Sequence, residues 1–393
     1  AVTMQNNDLT GIYYAHGVLL EIKVHQGALV GLIPGIPQEY AVRLVPAGID
    51  RFRLIGGPAD GAIAIFSADE TGQAGGLQVG TFSMPKISAE QALNLPVTGR
   101  LLAPEIEMTP EKQAVFARLL EEALSRADGD WIDYDLPYPR HEFVQFVTAR
   151  QVVIFHGSNN QQIETFVPVR KSFELRDETG RGNLQAVYGT HDGLWAMFFA
   201  VVDRDRLSGS IRNGVAYFTN TQGDVLTAYN FSVNHEQLDE KPWREGALYL
   251  LPREFFRRLP LTEHAYANEW ACEQEITPLA KLLVSPEDFP FLDRVAGHDD
   301  SELIRLQDIS KEIQQAAIGV QDGDDRFTIQ IRGGVIPEER LGEYIALQQV
   351  YTPAAKYELT ATPQGPALTV YSPPPAVRQV LRSDYKDLLA GDA

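Results

Sequence analysis

The chain has 393 residues, of which 44% are hydrophobic and 22% charged, and its formal net charge is −19. At about 150 residues per domain, this length predicts two to three globular domains. The acidic balance argues against broad binding to nucleic acid or to anionic membrane surfaces, because both are repelled by a negatively charged average surface. The single cysteine, Cys272, excludes an internal disulfide framework and any zinc site built from cysteines.

The same features predict where the protein resides. No apolar run approaches the roughly 18 residues of a membrane-spanning helix. The first residues carry neither a basic segment nor an apolar one, so no signal peptide is visible, although a chain that starts with Ala1 could follow a removed segment. One cysteine suits a reducing compartment. We therefore expect a soluble, cytoplasmic protein without a membrane partner.

Residues 9–98 have the pattern of antiparallel β structure. Short alternating runs such as 19–24 and 62–66 are separated by turns rich in Gly, Asp and Pro. Short strands at such regular spacing predict a small antiparallel β-barrel-like module. The pattern from residues 9–13 through 51–54 resembles the small lipocalin-like modules appended to bacterial hydrolases. Such appended modules are more often scaffolds than ligand-binding sites, and a fold does not by itself imply a function. We therefore expect this module to be a scaffold.

Residues 99–150 are predicted to be a helical connector. Thr109 is a good N-cap, Pro110 suits the first helical position, and an apolar stripe continues to Leu124. A proline-rich stretch breaks this helix before a second one over residues 140–149. The second helix is expected to pack against the domain that follows.

Residues 151–296 mix strands and helices. A β-branched run from Gln151 leads directly into His156, Gly157 and Ser158, which places a histidine where a buried strand meets a loop. Further strands are predicted at 184–190, 247–251, 268–273 and 279–284. A buried helix is predicted at 194–200, and Asp192 is in position to cap its N-terminus. Residues 201–245 form a long polar segment with no predicted element.

Residues 297–393 predict a C-terminal α+β module, so the whole chain is expected to be a multi-domain α+β protein. Its predicted elements are a helix over 301–318, a strand at 327–331, a helix at 338–349, a hairpin of 357–360 with 367–371, and a short last helix ending near Leu389.

Three polar positions in the central domain suggest chemistry: His156, Tyr188 and Glu269. The spacing along the chain is 32 residues from the histidine to the tyrosine and 81 from there to the glutamate. The motifs around them are Phe155-His156-Gly157-Ser158, Val187-Tyr188-Gly189-Thr190 and Asn268-Glu269-Trp270. In order and spacing, residues 151–296 resemble the ADP-ribosyltransferase fold, in the His-Tyr-Glu branch shared by diphtheria-type toxins and poly(ADP-ribose) polymerases. The resemblance implies a split β-sheet with helices and NAD as the substrate.

The resemblance also implies a role for each residue. His156 would hydrogen-bond the adenosine ribose, Ser158 would help to position the nicotinamide ribose, and Gly157 would present backbone groups to the carboxamide. Tyr188 would stack on the nicotinamide ring. Glu269 would hold the ribose 2′-hydroxyl and stabilise the positive charge that develops at C1′.

The chemistry agrees with those roles. Breaking the nicotinamide–ribose bond creates oxocarbenium character, and a carboxylate beside it stabilises the transition state more than the ground state. An aromatic face suits a cationic pyridinium ring. Such a mechanism needs no metal. The acceptor of ADP-ribose, a protein, a small molecule or water, is left open, because Ala267 stands where members that modify proteins often carry Glu or Gln.

Two other interpretations remain open. Taken singly, each of the three residues is more often structural than functional, so the domain could be an inactive ligand-binding or interaction module with a degenerate fold. RNA 2′-phosphotransferases share the fold and rely on several arginines, which the following basic residues could supply: Arg170, Arg176, Arg181, Arg253, Arg257 and Arg258. The net acidity and the complete His-Tyr-Glu order argue against that second alternative.

Overall fold

The N-terminal region folds into a closed antiparallel barrel of eight strands, in which each strand pairs with the next and the last pairs with the first. The computed structural model describes residues 5–15, 18–80, 82–93, 100–168, 184–323, 325–351 and 355–371. The barrel strands are β1 (Gly11–Ala15), β2 (Val18–His25), β3 (Ala28–Leu32), β4 (Val42–Gly48), β5 (Arg51–Ile55), β6 (Ile63–Ala68), β7 (Ala74–Val79) and β8 (Phe82–Ile87), with short helices α1 (Asn6–Leu9) and α2 (Ala89–Leu93) at their ends. The predicted N-terminal β barrel is confirmed.

Side chains fill the interior of the barrel. Phe66 makes edge-on contacts with Tyr13 and Phe52, with ring centroids 5.7 and 5.6 Å apart. The Tyr13 hydroxyl donates to the Leu9 carbonyl at 2.8 Å, so its one polar atom is satisfied in the core. An eight-stranded barrel is just wide enough for such filling. The interior is therefore a packed core, as expected of a scaffold.

Residues 100–150 add a short strand, β9 (Leu101–Leu102), and the two predicted helices, α3 (Pro110–Arg126) and α4 (Arg140–Arg150). The Thr109 hydroxyl accepts a hydrogen bond from the Lys112 amide at 3.2 Å, which confirms the predicted N-cap. A largely buried ion pair of 2.7 Å between Lys112 and Glu142 joins the two helices. Both helices contribute to the hydrophobic core of the central region.

The central region contains a six-stranded antiparallel sheet in the order β15-β16-β11-β10-β14-β17. Its strands are β10 (Val153–Ser158), β11 (Val187–Thr190), β14 (Gly246–Pro252), β15 (Arg257–Thr262), β16 (Ala265–Cys272) and β17 (Ala280–Val284). Helix α5 (Gly193–Val201) covers the face that carries Phe155 and Leu250, which we call the helix face. The opposite, outer face carries Ile154 and Tyr249.

A second sheet is built mainly from the stretch 201–245, for which the sequence predicted no element. It consists of β12 (Arg212–Thr219), β13 (Val225–Asn234) and β18 (Ala296–His298), with β9 also paired to β13, and α6 (His235–Asp239) follows β13. The sequence predicted only a long polar segment here, whereas the hairpin is buried over consecutive residues: all four residues 231–234 of β13 are buried, including the polar Ser232 and Asn234. Phe231 on β13 meets Phe198 on α5 with ring centroids 4.7 Å apart.

The C-terminal module is a four-stranded antiparallel sheet beside two helices, in the strand order β19-β20-β22-β21. Its elements are α7 (Ser301–Ala316), β19 (Ala317–Asp322), β20 (Arg326–Ile331), α8 (Glu338–Tyr351), β21 (Lys356–Thr362) and β22 (Gly365–Tyr371). The predicted helices, strand and hairpin are confirmed, and β19 is an additional strand. The short last helix lies outside the described residues.

Polar and apolar contacts join the three regions. Side chains Ile33, Ile36 and Tyr40, between β3 and β4 of the barrel, pack against a cluster formed by Ala216, Phe218 and Ala228. On the C-terminal side, Asp300 at the start of α7 accepts hydrogen bonds from the Arg212 guanidinium at 2.7 Å and from the Ser210 amide at 2.6 Å. Among the described residues, no helix is both long and apolar enough to span a membrane.

Candidate functional site

The predicted site residues lie on three neighbouring strands of the six-stranded sheet. His156, Gly157 and Ser158 end β10, Tyr188 lies on the adjacent β11, and Glu269 lies on β16, the next strand along. The pairing puts Phe155 opposite Thr190, and Thr190 opposite Glu269. The sheet thus gathers segments that are far apart in the chain.

Strands β10 and β11 diverge at the histidine. Among the described residues, the ladder between them consists of the pair Phe155–Thr190. Beyond that pair, β10 remains fully paired with β14 as far as Ser158, and β11 remains paired with β16. The strands are therefore split between Gly157 and Tyr188, where each carries backbone groups along the edge that faces the split.

The His156 side chain bridges this split. Its Nδ1 lies 2.7 Å from the Tyr188 carbonyl oxygen, which can only accept, so Nδ1 carries the proton and donates. Burial lowers the pKa of the imidazole, against the opposing effect of this hydrogen bond. The ring is accordingly neutral, and Nε2 is left as an acceptor.

The three residues do not project from one face of the sheet. Side chains alternate along a strand, so the register places Tyr188 and Glu269 on the helix face, with Phe155. His156 points to the outer face, where its ring meets Phe166 with centroids 4.8 Å apart. A ligand that lay flat on either face would therefore reach part of the predicted set.

Gly157 allows a helix to pack closely against the sheet. A Cβ atom at this position would lie 1.9 Å from the Ala196 carbonyl oxygen and 2.7 Å from the Ala200 amide nitrogen, both in the backbone of α5. Gly246, on the neighbouring strand, has the same relation to the Ala200 carbonyl at 2.0 Å. The glycines allow α5 to lie directly against the sheet, beside the split.

The two remaining hydroxyls are engaged locally. The Ser158 hydroxyl accepts from the Asn160 amide at 3.1 Å, as expected for a residue that stabilises the turn after the strand. The Tyr188 hydroxyl donates to the Leu184 carbonyl at 3.0 Å, and its ring packs with Ala271 and Leu259. Tyr188 therefore has a fixed position, and Glu269 is half-buried on the same face.

Asp192 holds the two central sheets together. Its buried carboxylate accepts from the Trp195 amide at 2.9 Å, which confirms the predicted cap of α5. It also accepts from the Tyr217 and Tyr229 hydroxyls, each at 2.9 Å. Burial raises the pKa of Asp192 in spite of these hydrogen bonds, and burial together with the neighbouring carboxylate raises the pKa of both tyrosines.

A cluster of aromatic and basic side chains beside the predicted set was missed by the sequence analysis. Trp270 donates through Nε1 to Nδ1 of His191 at 2.9 Å, and His191 stacks on Tyr217 with centroids 5.5 Å apart. The Arg253 guanidinium lies 4.9 Å from the Trp270 ring. Burial, together with the charges of Arg258 and Arg253, lowers the pKa of His191 to about 4. The available signal was that Trp270 belongs to one of the predicted motifs and that His191 directly follows another.

The arginines considered for RNA chemistry have different environments. Arg257 forms an exposed ion pair of 3.3 Å with Glu273. Arg253 and Arg258 belong to the aromatic cluster. The other three, Arg170, Arg176 and Arg181, lie outside the described residues. Within the described ranges, no group of three or more His, Cys, Asp or Glu side chains is arranged to hold a metal ion.

Comparisons with known proteins leave this geometry as the basis for assigning a function. No protein-family model, no curated protein and no solved structure matches the chain.

Proposed function

We propose that the central region binds NAD and cleaves the bond between nicotinamide and ribose, transferring ADP-ribose to an acceptor or to water. The observation that supports this most directly is the split between β10 and β11. The His-Gly-Ser motif borders it on one strand and Tyr188 on the other, and Glu269 lies on the strand next to Tyr188.

The split suggests how the ligand would bind. A planar carboxamide ring that entered edge-on between the strands would meet the backbone groups of Gly157 on one side and the Tyr188 strand on the other. Because His156 projects from the outer face and Glu269 from the helix face, a dinucleotide passing through the split would reach both side chains. Binding would then require the 2.7 Å hydrogen bond between His156 and the Tyr188 carbonyl to open.

The reaction then follows from charge. The bond from C1′ to the nicotinamide nitrogen breaks with its electron pair leaving on nicotinamide, and the ribose acquires oxocarbenium character. The Glu269 carboxylate would stabilise that positive charge, and the oxygen of water or of the acceptor would form the new bond at C1′ and lose a proton. Removing a single group that stabilises a transition-state charge typically costs about 10²–10³ in rate.

Nicotinamide release from NAD, measured by chromatography, tests the proposal. We expect Glu269→Gln to release nicotinamide about 10²–10³ times more slowly than the wild type, with an unchanged melting temperature. The matched control is Glu273→Gln, on an exposed carboxylate four residues along that pairs with Arg257, and its rate should equal that of the wild type. A wild-type protein that released no nicotinamide with any acceptor, including water, would overturn the cleavage step.

Calorimetric titration with NAD separates binding from catalysis. A saturable signal that is lost in His156→Ala supports the pocket. The alternative is a degenerate fold that serves as a binding or interaction module. It is favoured by the opposite faces of His156 and Glu269 and by the α5 backbone against Gly157. A flat NAD trace for the wild-type protein would decide for that alternative.

A further inference from the structure

Hydrogen-bond donors lie around Trp270, and one of them belongs to His191. The indole Nε1–H of a tryptophan can only donate, so the 2.9 Å bond to His191 Nδ1 fixes that nitrogen as the acceptor. The proton of the neutral imidazole must then be on Nε2. Among the described residues, this Nε2–H has no hydrogen-bond partner.

Two guanidinium groups border the same cluster. Arg258 donates from Nε to the Ala267 carbonyl at 2.6 Å and from Nη2 to the Asn268 side-chain oxygen at 2.8 Å. Arg253 donates from Nη1 to the Gln151 carbonyl. All three acceptors are neutral, and within the described ranges each guanidinium keeps N–H groups that make no hydrogen bond.

No acid within the described ranges compensates these charges, since neither Arg253 nor Arg258 has a carboxylate oxygen within 4.0 Å. The carboxylate of Asp192, the residue after His191, accepts hydrogen bonds from the hydroxyls of Tyr217 and Tyr229. Both arginines are half-buried and lack a carboxylate partner among the described residues, in a chain whose net charge is −19.

We propose that Arg253, Arg258 and the Nε2–H of His191 form a binding site for a phosphoryl group, with Trp270 as its aromatic wall. All three side chains present donors, which excludes a cation and suits a multiply charged oxyanion. The planar fork of arginine matches phosphate geometry and bonds it with two parallel hydrogen bonds. A neutral imidazole N–H adds a directed donor without adding charge. The inference goes beyond the proposed function, because the site would bind a phosphoryl group whether or not NAD is cleaved.

Titrations with inorganic phosphate, pyrophosphate and AMP at constant ionic strength test the site, with tryptophan fluorescence and calorimetry as readouts. We expect saturable binding of at least one of them, and at least tenfold weaker binding by Arg258→Gln and by Arg253→Gln. The Arg257→Gln variant is the control, because it removes a neighbouring guanidinium that already pairs with Glu273, and its affinity should equal that of the wild type.

The three ligands distinguish the possible sources of the phosphoryl group. Binding of inorganic phosphate alone would indicate a site for the free ion, whereas binding of AMP but not of phosphate would indicate a nucleotide. The Arg253→Gln variant keeps the bonds from Arg258 to β16, so it preserves the test if Arg258→Gln is unfolded. Absence of saturation with all three ligands, or equal weakening in the Arg257→Gln control, would overturn the proposal.

Discussion

Replacing Gly157 with alanine tests whether α5 lies directly against β10 at the predicted site. The added Cβ would lie 1.9 Å from the Ala196 carbonyl oxygen, whereas carbon and oxygen atoms in contact are separated by about 3.4 Å. The helix or the strand must therefore move by about 1.5 Å. The atoms in the way belong to the backbone, so no side-chain rotation relieves the clash.

The displaced helix carries the side chains of Met197 and Phe198, both fully buried in the central core. Overpacking of a core typically costs about 1–3 kcal/mol, and a clash with helix backbone belongs at the upper end, so we expect Gly157→Ala to lose about 3 kcal/mol of unfolding free energy. The loss is measured as a lower urea midpoint of the transition of the central region. Gly246→Ala, which meets α5 from the adjacent strand, should behave alike.

A glycine without neighbours provides the control. An ideal Cβ at Gly319 meets no atom within 4 Å, so Gly319→Ala should change the unfolding free energy by less than about 0.5 kcal/mol or raise it slightly. A Gly157→Ala protein with the wild-type urea midpoint would refute the direct packing of α5 on β10. If that protein also lost NAD binding, Gly157 would be required for binding the ligand and not for the packing of α5.

Two further predictions concern buried carboxylates. Asp192→Ala should lower the unfolding free energy by about 3 kcal/mol or more in urea titrations, because the Tyr217 and Tyr229 hydroxyls would be buried without acceptors; an unchanged midpoint would show that water replaces the carboxylate. At Asp300, burial would raise the pKa, but hydrogen bonds from His298 and Ser210 outweigh it and hold the pKa well below its usual value. The stabilisation by the ionised carboxylate is therefore complete above about pH 4 and is lost as the pH falls through the folded-state pKa. Between pH 5 and pH 2 the wild type should lose more unfolding free energy than Asp300→Asn. Parallel curves of unfolding free energy against pH for the two proteins would contradict this.

Local sequence signals determined many elements of the fold. Two features that depend only on residues close in the chain were predicted correctly: the cap formed by Thr109 and Pro110, and the N-terminal strands with their period-2 alternation. The same holds for the Asp192 cap of α5, whose hydrogen bond spans three residues. The hairpin β12–β13 was missed because its buried residues do not alternate with exposed ones: residues 231–234 of β13 are all buried, and two of them, Ser232 and Asn234, are polar.

The site depended on tertiary structure. The sequence placed His156, Tyr188 and Glu269 at or near strand ends, but the face from which each side chain projects depends on register, and a shift of one residue reverses it. The grouping of His191, Trp270, Arg253 and Arg258 likewise requires three separate segments to meet, around residues 191, 253–258 and 270. Motif order along the chain could suggest the chemistry, whereas only strand pairing decided which side chains share one surface.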